Sequence, residues 1–201
     1  VGTAAIPVIL TVLLVVVAWR VVFGFNKDLV RAGAWGELAR RSLPFAAITL
    51  MAASLPLVQG RSGSIPIFWA IGFGVILLLS RFVSEPAGER RASRAFRQGN
   101  YDEAASLYRK LAEGRPLARH WAFLGAALGA GGHEEEALEA SSRAVELDPQ
   151  YGLAYYNRAL ILRNTGRRSR AIKDLKKALE ADLPRRFKNA ANNALRELQK
   201  G

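Results

Sequence analysis

The hydrophobic pattern of this chain changes character near residue 84. Before it, three windows of 19 residues (1–19, 42–60 and 62–80) contain no charged side chain. About 20 apolar residues make a helix long enough to cross a ~30 Å hydrocarbon core. These windows therefore predict three transmembrane helices, over 1–24, 43–59 and 66–83. Residues 60–65, rich in Gly and Ser, read as a tight external turn that makes the last two a hairpin. Pro44 and Pro66 stand at predicted helix starts, where a missing N–H costs little, and Trp19, Trp35 and Trp69 fall near span ends. No basic residue precedes the first window and no small-residue cleavage site follows it, which argues against a cleaved signal peptide. The intervening segment 25–42 contains a stretch, 28–41, that reads equally as a short amphipathic helix in the headgroup layer or as a loop weakened by Gly33 and Gly36.

Beyond residue 84 the apolar positions follow helical spacing and repeat with a period near 34. Trp121, Leu124, Gly125, Leu128, Gly132, Ala137, Ala144 and Pro149 form one set. Tyr155, Arg158, Ala159, Leu162, Gly166, Ala171, Ala178 and Leu183 stand 34 residues on; Gly88, Arg91, Ala92, Ala95, Gly99, Ala104, Leu111 and Pro116 stand 33 back. Small residues recur where two helices must approach closely: Ala92, Gly125 and Ala159 in first helices, Ala104, Ala137 and Ala171 in second ones. Gly99, Gly132 and Gly166 fall at the turns, where a positive φ is often required. Asp102 and Ser169 are placed to cap second helices. One helical pair cannot bury its apolar face alone, so the pairs must stack and the last needs a lid. Residues 184–199 supply it through the stripe Phe187, Ala190, Ala191, Ala194, Leu195 and Leu198.

The run Trp121-x2-Leu124-Gly125-x2-Leu128 followed by Ala137, Ala144 and Pro149 resembles the tetratricopeptide repeat, a 34-residue helix–turn–helix unit. The resemblance covers about 85–183, with repeats at 85–117, 118–151 and 152–183 and a capping helix at 184–199. The middle copy lacks only the usual aromatics at Leu128 and Ser141. The third places Arg158 where an apolar residue is usual, and the first keeps Gly99 to Ala104 and Pro116 but not the large residues of its first helix. Packing within the repeats is expected from Ala104, Trp121, Leu124, Gly125, Ala137, Ala144, Pro149, Tyr155, Ala159, Ala171 and Ala178. The expected fold class is all-α: three transmembrane helices followed by a short solenoid of helical hairpins over 85–201. The resemblance implies a concave surface lined by Phe123, Ala126, Ala130, Tyr156, Asn157, Leu160, Arg163 and Asn164, with Ala122 beside them. Residues 155–159 are also similar to the segment with which chaperone-adaptor repeats grip an acidic C-terminal peptide. That likeness carries over only to Asn157, with Arg163, Arg186 and Lys188 nearby.

Charge refines this picture. Lys and Arg total 29 against 17 Asp and Glu, a net charge of +12. Residues 1–83 hold seven basic and two acidic groups, leaving 22 and 15 for the remainder. Counted over the flanks of the expected spans, the basic excess puts the N-terminus outside and both 25–42 and the repeats in the cytoplasm of a bacterial inner membrane. Arg163, Arg167, Arg168, Arg170, Lys173, Lys176 and Lys177 cluster around the third repeat. Anionic headgroups or an acidic peptide suit them better than nucleic acid, for which no reader motif or stacking platform is present.

Candidate chemistry is sparse. With no cysteine there is no thiol nucleophile, disulfide or zinc–thiolate site. Gly60-Arg61-Ser62-Gly63 is similar to the G-x-S-G serine motif of rhomboid proteases. The only histidines, His120 and His133, lie in the repeat half, and a serine with no base in reach is not activated. His133 before Glu134, Glu135 and Glu136 reads as helix-start electrostatics rather than a metal cage, and His120 reads as a surface residue. No cofactor fingerprint is present. The expected function is that of a non-enzymatic, membrane-anchored adaptor or scaffold binding a protein or peptide, with the bilayer as its second partner. Two alternatives stand beside it: an accessory subunit acting through its spans, and a serine protease at Ser62.

Overall fold

A computed structural model describes residues 5–58, 63–84 and 87–200. The chain divides into two compact units, Val1–Pro86 and Ala87–Gly201.

The first unit is built from α1 (Ala5–Phe25), α2 (Lys27–Arg31), α3 (Trp35–Val58) and α4 (Ile65–Ser84). Among the described residues, no helix is long and apolar enough to cross a membrane. The expectation of three transmembrane helices is thereby corrected, and with it the placement in a bacterial inner membrane with the N-terminus outside and the repeats cytoplasmic. Helix boundaries here do not follow the charge-free windows. Helix α3 begins at Trp35, eight residues before the expected span, and so takes Glu37, Arg40 and Arg41 into its first two turns. Helices α1 and α4 likewise run on through Arg20 and Arg81. A window without charge is a property of sequence, whereas a helix extends as far as its backbone ladder closes.

Segment 28–41 is neither a continuous helix nor a loop. It breaks at Gly33, whose φ of +64° suits glycine, between α2 and α3. Leu29 and Leu38 are buried while Trp35 is exposed. Buried Glu37 lies 3.6 Å from Arg40 Nη1 and 3.5 Å from Arg41 Nε. Trp69, rather than marking an interface, donates its indole N–H from α4 to Ser54 Oγ on α3 at 3.0 Å. Residues Ile9, Val12 and Val16 of α1 and Phe68, Leu78 and Leu79 of α4 remain exposed. Ser62, with residues 60 and 61 of the expected 60–65 turn, lies outside the described residues.

The second unit is a stack of helical hairpins: α5 (Ala87–Arg97) with α6 (Tyr101–Gly114), α7 (Ala118–Ala130) with α8 (Glu134–Leu147), and α9 (Gly152–Asn164) with α10 (Arg168–Glu180). Helix α11 (Arg185–Lys200) packs on α10 and closes the array. The small residues sit at the closest approaches, with Ala92, Ala104, Ala137, Ala144, Ala159, Ala171 and Ala178 all fully buried. Gly125 shows why size matters there. A Cβ on it would collide with Ser141 Oγ and stand 3.0 Å from the Ala137 carbonyl oxygen. Gly99, Gly132 and Gly166 carry φ of +81°, +86° and +73° at the intra-hairpin turns. The third-repeat cluster joins Leu153, Leu175 and Leu183 to Ala191 and Ala194 of α11, so the lid buries what the last hairpin leaves open.

Two local expectations change. Asp102 and Ser169 are not the caps; Asn100 and Arg167 occupy those positions, with no side-chain cap hydrogen bond. His120 is not a surface residue but only 2% exposed. Its Nδ1 lies 2.9 Å from the Arg115 carbonyl and its Nε2 2.9 Å from Glu89 Oε1. It thus joins the first helices of repeats one and two.

Candidate functional site

Residues three and four apart on a helix share a face. Phe123, Ala126 and Ala130 form such a row on α7, and Tyr156, Leu160, Arg163 and Asn164 form one on α9. Phe123 is half-buried, stacked on Tyr108 of α6 with ring centroids 5.4 Å apart, and touches the clusters of both neighbouring repeats. Ala126 is half-buried and Ala130 exposed. Tyr156 and Leu160 are half-buried, and Arg163 and Asn164 open to solvent. At the far end Phe187 of α11 packs on Tyr156 at 5.5 Å, with the Arg186 guanidinium 4.8 Å from the Phe187 ring centroid. The arrangement is an apolar strip, smooth over the alanines, that ends in a cation and an amide.

Asn157 belongs to the scaffold. Its side-chain amide donates to the Ala122 carbonyl at 2.9 Å, and only 9% of the residue is exposed. This bond braces α9 against α7, so one N–H of the amide is committed before any ligand arrives. Arg163 carries no ion pair among the described residues, so its guanidinium is available to a ligand.

Two further polar contacts tie α6 to the hairpin that follows it. His133 Nε2 lies 3.2 Å from Asp102 Oδ1, joining the turn before α8 to α6. Arg109 donates to Glu136 at 2.6 Å; that hydrogen bond holds the Glu136 carboxyl below its ordinary range, with the Arg109 and His133 charges adding to the effect. Among the described residues no group of three or more His, Asp or Glu is placed to hold a metal ion. The strip contains no paired titratable groups, so what it offers is shape, apolar area and hydrogen bonds.

Sequence reasoning missed the Arg158–Asp174 pair, the burial of His120 and the Phe123–Tyr108 stack. Arg158 did carry a signal. The second repeat has Leu124 in the same slot, so a half-buried cation there needs a carboxylate, and Asp174 lies on the facing helix.

Residues 153–184 match the family model described as Tetratricopeptide repeat. No curated protein matches the chain. Among solved structures, the Yersinia enterocolitica type III secretion translocator chaperone SycD, in an alternative dimer, is similar at 20% identity with a TM-score of 0.52, over 56% of this chain and 89% of that one. The first TPR of Spaghetti (RPAP3) bound to the HSP90 peptide SRMEEVD is similar at 26% identity and TM-score 0.51, over 56% and 88%. The TPR2AB-domain:pHSP90 complex of yeast Sti1 gives 17% identity and TM-score 0.51, over 87% and 69%. Identities this low speak for the fold. Residues 87–200 form an all-helical solenoid of the tetratricopeptide-repeat type.

Proposed function

We propose that this chain is an adaptor whose repeat unit binds a short peptide or helical segment of a protein partner along the α7/α9 strip. The observation that carries the reading is the strip itself: Phe123, Ala126, Ala130, Tyr156 and Leu160 present apolar surface on the first helices of two successive hairpins. Core packing leaves that surface partly open. Stacked hairpins expose such a face by construction, and the smooth alanines let a partner backbone approach closely. Arg163 and Asn164 at the end of the strip suit a carboxylate or a backbone carbonyl. Two similar structures contain HSP90 or a peptide of it, which supports a peptide as the class of ligand.

The test is selection of binders from a displayed peptide library on the full chain, followed by titration of Tyr156→Ala and Leu160→Asp. Each substitution removes or charges a half-buried contact and should weaken the selected peptides by about tenfold or more. Peptides that bind both variants as tightly as the parent would refute the reading.

A further inference from the structure

A second site lies on the other side of α9. Arg158 and Leu162 are one turn apart, and each is about 200° around the helix from Tyr156 or Leu160 two residues before it. They therefore face away from the strip. Together with Leu138 and Ser142 of α8 and Arg167, Arg170, Lys173 and Asp174 they line a cavity of about 370 Å³. Four cations and one carboxylate surround it, and the carboxylate is spent: Asp174 accepts two hydrogen bonds from Arg158. Arg158 is spent as well, since its third nitrogen donates to Ser142 Oγ at 3.2 Å. Arg167, Arg170 and Lys173 are exposed and have no ion pair among the described residues.

The local sequence works against its own helix here. The first turns of α6 and α8 carry Asp102 and Glu103, or Glu134, Glu135 and Glu136, as the helix dipole favours. The start of α10 has no acid at all and sets Arg167, Arg168 and Arg170 beside the positive end of the dipole. A bound anion would relieve the mutual repulsion of these charges.

We propose that this cavity binds an acidic peptide segment of a protein partner, at a site separate from the α7/α9 strip. Carboxylate side chains of the segment pair with Arg167, Arg170 and Lys173, and a neighbouring apolar side chain rests on Leu138 and Leu162. The apolar floor and a volume well beyond that of a single small oxyanion favour a peptide over free phosphate. The cavity walls offer no aromatic ring on which a base would stack, which disfavours nucleic acid.

The experiment uses the full chain and a fluorescein-labelled peptide alternating Glu and Leu, followed by anisotropy at two salt concentrations. Arg170→Glu should weaken binding about tenfold or more, and Arg167→Ala with Lys173→Ala should do so without reversing a charge. Lys110→Glu on α6 changes the net charge as much as Arg170→Glu and should change affinity by less than about twofold. Tyr156→Ala should leave the peptide bound. Equal weakening by Lys110→Glu and Arg170→Glu would reduce the effect to general electrostatics and overturn the proposal. Loss of binding only in Tyr156→Ala would overturn it too, while leaving the strip reading intact. Tighter binding of a labelled oligo-dT, or of inorganic phosphate with no peptide bound, would assign the cavity to another ligand and equally reject it.

Discussion

Arg158 on α9 grips Asp174 on α10 in a bidentate pair, Nε to Oδ2 at 2.6 Å and Nη2 to Oδ1 at 2.9 Å. Asp174 is buried and Arg158 largely so. Its hydrogen bonds to Asp174 raise the Arg158 pKa above its ordinary value against the opposing effect of burial, with the Asp174 and Tyr155 charges adding to the rise. The pair replaces an apolar contact between the two helices of the third hairpin.

Breaking one side of such a pair leaves an uncompensated charge in a poorly solvated place. Asp174→Ala is expected to cost about 2–3 kcal/mol in urea unfolding, at the lower margin for a buried pair because Arg158 reaches some solvent. Arg158→Leu combined with Asp174→Leu should recover stability to within about 1 kcal/mol of the parent, since apolar replacement of both partners is often neutral or better. A double variant as unstable as Asp174→Ala would show that the pair does more than satisfy itself.

Gly125 and Ser141 mark the tightest approach of α7 and α8. Gly125→Ala places a methyl group against the Ala137 carbonyl and the Ser141 backbone, and the strain of overpacking should cost about 1–3 kcal/mol. Ser141 is fully buried and its hydroxyl has no hydrogen-bond partner among the described residues. Ser141→Ala should therefore be neutral or stabilising by about 1 kcal/mol. Thermal melts of both variants decide the matter, and a destabilised Ser141→Ala would reveal a partner for that hydroxyl.

The His120–Glu89 contact joins α5 to α7. The Arg115 carbonyl can only accept, so Nδ1 carries a proton and Nε2 faces the Glu89 carboxylate. His120→Leu removes both contacts at a site 2% exposed, and unfolding free energy should fall by about 2 kcal/mol. Protection of the α5 amides in hydrogen exchange should fall with it, because this contact adds to the packing of α5 on α6. Unchanged α5 exchange would mean that the contact does not help to hold the first helix.

The lowered pKa of Glu136 fixes the sign of a pH effect. A carboxyl whose folded pKa lies below its unfolded value adds stability that is fully present above the unfolded pKa. That contribution disappears as pH falls through the folded one. Relative to Glu136→Gln, the parent should be more stable at neutral pH and lose that advantage in the acid range. High salt should shrink the difference, since both partners are exposed. A Tm difference between the two that is independent of pH would contradict the Arg109 attribution.

The 34-residue period, the buried alanines and the three positive-φ glycines were legible in the sequence because each is a local demand. A helix that must touch its neighbour at one point needs a small residue there, and a left-handed turn needs glycine, wherever the chain goes next. Spans were read from the absence of charge, which says nothing about where a backbone ladder starts. Tertiary structure put Trp35 at the head of α3 and drew Glu37, Arg40 and Arg41 into that helix. It also decided which polar groups meet. Arg158 finds Asp174 16 residues on, His120 finds Glu89 31 residues back, and the Asn157 amide is spent on the Ala122 carbonyl. Those partners are set by how helices cross, and crossing depends on the packing of every hairpin at once. One residue's chemistry was visible from its letter, but whether it faces a ligand or a neighbouring helix was settled only when the helices stacked.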